Sequence, residues 1–113
     1  MPSADAVIDF AKIEGPVYTG RSRGERLREH LGLDALDETQ TPVVVRIPAT
    51  TYSISSSFFL GLFGPSVVRY GSVASFYAKY QFAVSEFLKG IIDGHVGRAL
   101  QERNLFSRDQ HGA

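Results

Sequence analysis

Three consecutive serines, Ser55, Ser56 and Ser57, stand directly before the apolar run Phe58-Phe59-Leu60-Gly61-Leu62-Phe63. Serine at such a boundary caps a helix through its side-chain oxygen. The first turn of a helix also presents unpaired amides and the positive end of the backbone dipole, so a phosphate added to Ser56 or Ser57 would be held by several N–H groups. It would place about two negative charges beside Phe58 and Phe59 and could switch a binding surface without touching the core. The plainer alternative is one capping serine with two solvated neighbours. A second group, Arg21, Arg23, Arg26 and Arg28, puts four cations within eight residues and makes them candidate phosphate contacts. Glu25 and Glu29 are interleaved among them, which equally suits a solvated helix face with local ion pairs.

Other chemistries find little to work with. His30, His95 and His111 are isolated, and Asp93 and His95, two apart on a helix, do not share a face. No metal site is therefore expected from ligand spacing. The absence of cysteine removes thiolate nucleophiles, disulfides and cysteine-ligated zinc. The serines lack a Gly-x-Ser-x-Gly elbow, and neither a phosphate-binding Gly-x-x-x-x-Gly-Lys loop nor Gly-x-Gly-x-x-Gly occurs. With no nucleophile–base pair or metal set, neither an enzyme nor a cofactor is expected.

The elements that must carry these residues can be read from pattern. Ala6 to Phe10 suits an edge strand, and Gly15-Pro16 is turn punctuation. Ser22 and Glu25 have the spacing of a capping box, with Leu27 and Leu31 one turn apart, which predicts a helix from about Arg23 to Leu31. Gly32, Asp34, Asp37 and Glu38 suit a connection. Val43 to Ile47, β-branched and bounded by two prolines, reads as a central strand with Val43, Val45 and Ile47 on one face and Val44 and Arg46 on the other. The helix that begins at the serines runs toward Tyr70, with a kink or break expected at Gly64-Pro65. Tyr80 to Val84 alternates like a strand, and Ser85 can cap a last helix to about Arg103, in which Gly90, Gly94 and Gly97 each cost about 1 kcal/mol relative to alanine. The order β-α-β-α-β-α predicts an α/β domain, a small sheet with helices packed mainly on one face.

At 113 residues the chain has room for one domain, read as 1–104 with a flexible tail at 105–113. Twelve basic residues balance twelve acidic ones, so no long-range grip on nucleic acid is expected. The amino-terminal stretch carries Asp5 and Asp9 and lacks the basic start of a secretory signal, and no apolar window approaches the ~20 residues of a membrane span. A cytoplasmic protein is the expectation.

Ser56-Ser57-Phe58-Phe59, continuing through Phe63-Gly64 to Val67-Val68-Arg69, resembles the Ser-Ser-Phe…Phe-Gly…Val-x-Arg signature of the bacterial STAS-like family, catalogued as a domain of unknown function. Gly24-Glu25-Arg26-Leu27-Arg28-Glu29 is similar to its Gly-Glu-x-x-Arg-Glu helix, and the Val43 to Ile47 strand lies between the two. The resemblance covers about residues 6–103. It implies a STAS-like fold and a non-catalytic regulatory or protein-interaction module. In the distantly similar anti-sigma-factor antagonists the serine matching Ser56, with Ser57 next, is phosphorylated by an ATP-dependent partner kinase. A histidine-kinase-type ATPase or other signalling protein is thus the partner the resemblance implies. The chain departs from the antagonists where Ser55 replaces the aspartate before that serine. Phe58, Phe59, Leu60, Leu62 and Phe63 make the helix apolar almost all round, so it must be unusually buried or covered by a partner. They are read here as a partner or dimer surface. The remaining alternatives are a self-assembling homodimer without a phospho-switch and a small phosphate- or nucleotide-binding protein.

Overall fold

The computed structural model describes residues 6–111, with side chains described through Glu102. The chain enters through β1 (Ala6–Asp9), closed by a 3₁₀ turn in which Asp9 accepts from the Ala11 amide at 3.0 Å. A two-residue strand β2 (Val17–Tyr18) leads to α1 (Arg21–Leu31) and the short α2 (Leu33–Glu38). Next come β3 (Val43–Arg46), β4 (Ser53–Ile54), α3 (Ser56–Tyr70), α4 (Val73–Lys79), β5 (Tyr80–Ala83) and α5 (Glu86–His111).

Three strands form one parallel sheet in the order β1-β3-β5, with Ala6 opposite Val43 and Val43 opposite Tyr80. Because the order advances in a single direction, crossovers of the usual right hand put both connections on the same face. Side-chain burial agrees. Ile8, Val43, Val45, Ile47 and Tyr80 are buried against the helices, whereas Arg46 and Gln81 are exposed and Val7 is 53% exposed on the other side. The expected alternation through the central strand is therefore observed, as is an α/β domain with a helix-backed sheet. A second, two-stranded parallel sheet, β2 with β4, sits at the entrance to α3.

Helix α3 is the centre of the molecule, and the reason is glycine. A Cβ on Gly24 of α1 would collide with the Phe58 carbonyl oxygen and lie 2.9 Å from the Leu62 amide. A Cβ on Gly61 of α3 would collide with the Arg21 carbonyl oxygen and lie 3.0 Å from the Glu25 amide. The two backbones touch because neither position has a side chain. With α1 on one side, the remaining sides of α3 meet aromatic partners. Phe58 packs on Tyr18 (centroids 5.6 Å), Phe59 on His95 (5.5 Å), and Phe63 on Tyr80 (5.5 Å) and Phe82 (5.4 Å).

Several local expectations are corrected. Ser22 and Glu25 do not form a capping box: α1 begins at Arg21 behind Gly20, whose φ of 91° turns the chain out of β2, and Ser22 is an exposed residue inside the helix. Pro65 does not break α3, which is continuous to Tyr70. Proline costs the helix one hydrogen bond, but Leu62 and Ser66 on the same turns are pinned by Arg28 and Asp37 from outside it. The connection after Gly32 is helical (α2), and the polar stretch before the serines contains β4. Ser85 caps α5 as expected, its hydroxyl accepting from Leu88 at 3.3 Å. The α5 backbone is helical through His111, while side chains beyond Glu102, His111's among them, and residues 112–113 fall outside the described residues.

Candidate functional site: the head of helix α3

Ser55 is the N-cap of α3. Its hydroxyl accepts from the Phe58 amide at 3.1 Å, its carbonyl accepts from Phe59 at 3.0 Å, and its own amide donates to the Tyr18 carbonyl at 2.9 Å. The preceding Ile54 carbonyl lies 2.8 Å from His95 Nε2 of α5. β2, α3 and α5 therefore fix this corner together. On that fixed base Ser56 is half-buried and Ser57 exposed. Neither amide has a partner among the described residues, as expected for the first positions of a helix. Tyr52, 78% exposed, directly precedes β4.

The five apolar residues after the serines do not form a surface. Phe58, Phe59, Leu60, Leu62 and Phe63 are all buried within the single chain, between α1, the sheet and α5. A helix apolar all round is here a helix surrounded on all sides, so these residues are core and not an exposed partner or dimer face.

The four arginines diverge. Arg21 is exposed, with only a 3.9 Å approach to Glu102, and Arg26 is exposed. Arg23 lies over the rings of Tyr18 (5.2 Å) and Phe58 (5.7 Å), donating to the carbonyls of Val17 (3.0 Å) and Glu14. Arg28 turns inward. It donates to the Leu62 carbonyl (2.9 Å), to Ser66 Oγ (2.9 Å) and to Asp37 (2.8 Å), and it meets Asp34 at 2.8 Å on its outer side. The group does not converge on a common phosphate site: Arg23 and Arg28 serve separate structural contacts, while Arg21 and Arg26 are exposed.

Sequence reasoning misses the polar network this arginine enters. Ser66 donates to Asp37, and the Tyr80 hydroxyl donates to Asp37 Oδ1 at 2.5 Å, linking α1, α2, α3 and β5 around one buried carboxylate. Burial, then the hydrogen bond to Asp37, push the Tyr80 phenol well above its ordinary range. The available signal is the spacing Gly24, Arg28, Leu31, which puts Arg28 on the α3-facing side of α1. Lys79 is similarly enclosed, its ammonium donating to the carbonyls of Thr39 (2.7 Å) and Thr41 (2.6 Å) and to Thr39 Oγ1 (2.9 Å). Burial holds its pKa below the usual lysine value.

Among the described residues no group of three or more His, Asp or Glu could hold a metal, and no helix is long and apolar enough to cross a membrane. Comparison with protein-family models, with curated proteins and with solved structures finds no match to this chain.

Proposed function

We propose that the chain is a non-catalytic, STAS-like regulatory module that engages a partner protein at the head of α3, and that phosphorylation of Ser56 or Ser57 switches this contact. The observation that carries the reading is the division of labour among the three serines. Ser55 supplies the cap, so the hydroxyls of Ser57 and, in part, Ser56 remain available on a rigid helix start. A phosphate there would face the free amides of the first turn and the positive end of a 15-residue helix. The partner would read the helix head, not the buried flank from Phe58 to Phe63. A histidine-kinase-type ATPase fits the reading as the phosphoryl donor. The terminal phosphoryl group of ATP passes to a serine oxygen, ADP leaves, and the hydroxyl proton is lost to solvent. An ATP-dependent partner would place the pair in the cytoplasm.

The test is mass spectrometry of the full chain after incubation with ATP and an extract of its native host, followed by partner affinities of serine variants. Phosphate is expected on Ser57 or Ser56 and is lost in the Ser56→Ala/Ser57→Ala double variant. Aspartate at the modified position should weaken the partner complex by about tenfold, ~1.4 kcal/mol, while the melting temperature stays nearly unchanged. No phosphate at either serine, with equal partner affinity for native, alanine and aspartate forms, would reduce both to solvated neighbours of a cap.

A further inference from the structure

The outer side of α5 carries a seam with no partner among the described residues. Phe87, Gly90, Gly94, Gly97 and Gln101 are spaced three, four, three and four, the repeat of a coiled-coil contact line. All five are exposed, Phe87 to 72%, and they lie opposite the buried Leu88, Ile92, Val96 and Ala99. Elsewhere this molecule places helical glycine where another backbone touches it, at Gly24 and Gly61. At Gly90, Gly94 and Gly97 an added Cβ would meet nothing within 4 Å, so no contact among the described residues calls for glycine there. Gly94, Gly97 and Gln101, with Arg98 and Glu102, line an open depression on this side of α5.

The charges beside the seam select its occupant. Asp93 and Arg98 flank it on opposite sides, both exposed, five residues apart. Within the chain Asp93 is held by Lys89 (2.8 Å) and the Tyr77 hydroxyl (2.5 Å), and Arg98 meets Glu102 at 3.4 Å. These are exposed contacts that a second copy would have to share or replace. When two such helices run parallel and in register, the residue before one seam position faces the residue five further along the second helix. Asp93 then meets Arg98 of the second copy, and the two-fold axis repeats the pair. An antiparallel arrangement sets like flank against like flank and brings Arg98 toward Ile91 or Arg98 of the second copy, which gains nothing.

We infer that α5 is a homodimer interface: two copies pack their Phe87 to Gln101 seams in parallel, the glycines let the backbones approach, and two Asp93–Arg98 pairs fix the register. This interface lies on a different element from the serines and stands or falls separately from the phospho-switch. It is also distinct from the Phe58 to Phe63 surface, which the core consumes.

The test is the mass of the full chain by sedimentation equilibrium over roughly 1–500 μM, the range suited to a contact smaller than a standard interface. A monomer–dimer equilibrium is expected. Asp93→Arg or Arg98→Asp alone should weaken it by about tenfold, and the two together should restore it. Gly94→Leu should abolish the dimer while raising the melting temperature of the monomer, since leucine is the better helix former; loss by unfolding would lower it. Because the chain has no cysteine, Gly94→Cys should give a disulfide-linked dimer across the two-fold axis on mild oxidation. A monomer at every concentration overturns the inference. So does a dimer indifferent to both charge reversals, or one that Gly94→Cys cannot cross-link.

Discussion

A single buried carboxylate organises the polar interior. Asp37 receives Arg28, Ser66 and Tyr80, and it is almost wholly shielded from water, whereas Asp34 on the outer side of Arg28 is open. Removing one member of such a pair leaves a charge buried without its counterion, a penalty of roughly 3–5 kcal/mol. Arg28→Ala should accordingly lower stability by about that amount, read as a shift of the urea unfolding midpoint. A cost near that of a surface substitution would mean that water reaches Asp37. The serines give a graded comparison: Ser55→Ala should cost about 1 kcal/mol through the lost cap, while Ser57→Ala should be nearly neutral. The serine cluster is legible from its position before an apolar run, but which serine caps is not, because it depends on the Tyr18 carbonyl holding the Ser55 amide in the extended conformation a cap needs. The inward turn of Arg28 is hidden for a related reason, since Asp37 and Ser66 lie nine and thirty-eight residues away.

Glycine does opposite work on different helices, and one substitution tests this at the scale of elements. Gly24→Ala and Gly61→Ala each drive a methyl group into a neighbouring backbone that no rotamer change can relieve. Each should cost roughly 1–3 kcal/mol, toward the upper end. Gly90→Ala on α5 meets open space and should instead stabilise the chain by up to about 1 kcal/mol, measured by thermal or urea unfolding at concentrations where it is monomeric. Equal effects at all three positions would remove the argument from backbone contact. The helix-backed sheet is legible because β3 and β5 carry alternating or β-branched runs and α3 and α5 are announced by serine caps. The elements that escape are short. β2 and β4 have two residues each and α2 has six, too few to show a period. The α1–α3 contact escapes because it is written in two glycines thirty-seven residues apart, each of which reads locally as a weak helix position. From the same local viewpoint the apolar run of α3 suggests an exposed docking face, since nothing in it reveals that three layers of cover converge on one helix.

For the molecule as a whole, the tyrosines set the alkaline limit of stability. Tyr80 and Tyr77 are raised above the ordinary phenol value of 10.0, first by burial and then by hydrogen bonds to Asp37 and Asp93. Tyr18 and Tyr70 are raised as well, again chiefly by burial. A phenol whose folded pKa exceeds its unfolded one contributes stability that is complete below the unfolded value. That contribution is lost as pH rises past 10 toward the folded value, because the unfolded chain gives up its proton first. Lys79 has the opposite sign: burial lowers its pKa, so the unfolded chain holds the extra proton and stability rises with pH just below the free lysine value. The two phenols raised furthest, Tyr77 and Tyr80, outweigh the single amine, so a negative net slope is expected. The urea midpoint should therefore hold steady to about pH 9.5 and fall progressively above about pH 10. Tyr77→Phe should make that fall shallower, since it removes one of the four protons and leaves the Lys89–Asp93 pair at 2.8 Å in place. A midpoint that stays level or climbs above pH 10 would show that these hydroxyls ionise as freely in the folded chain as in the unfolded one.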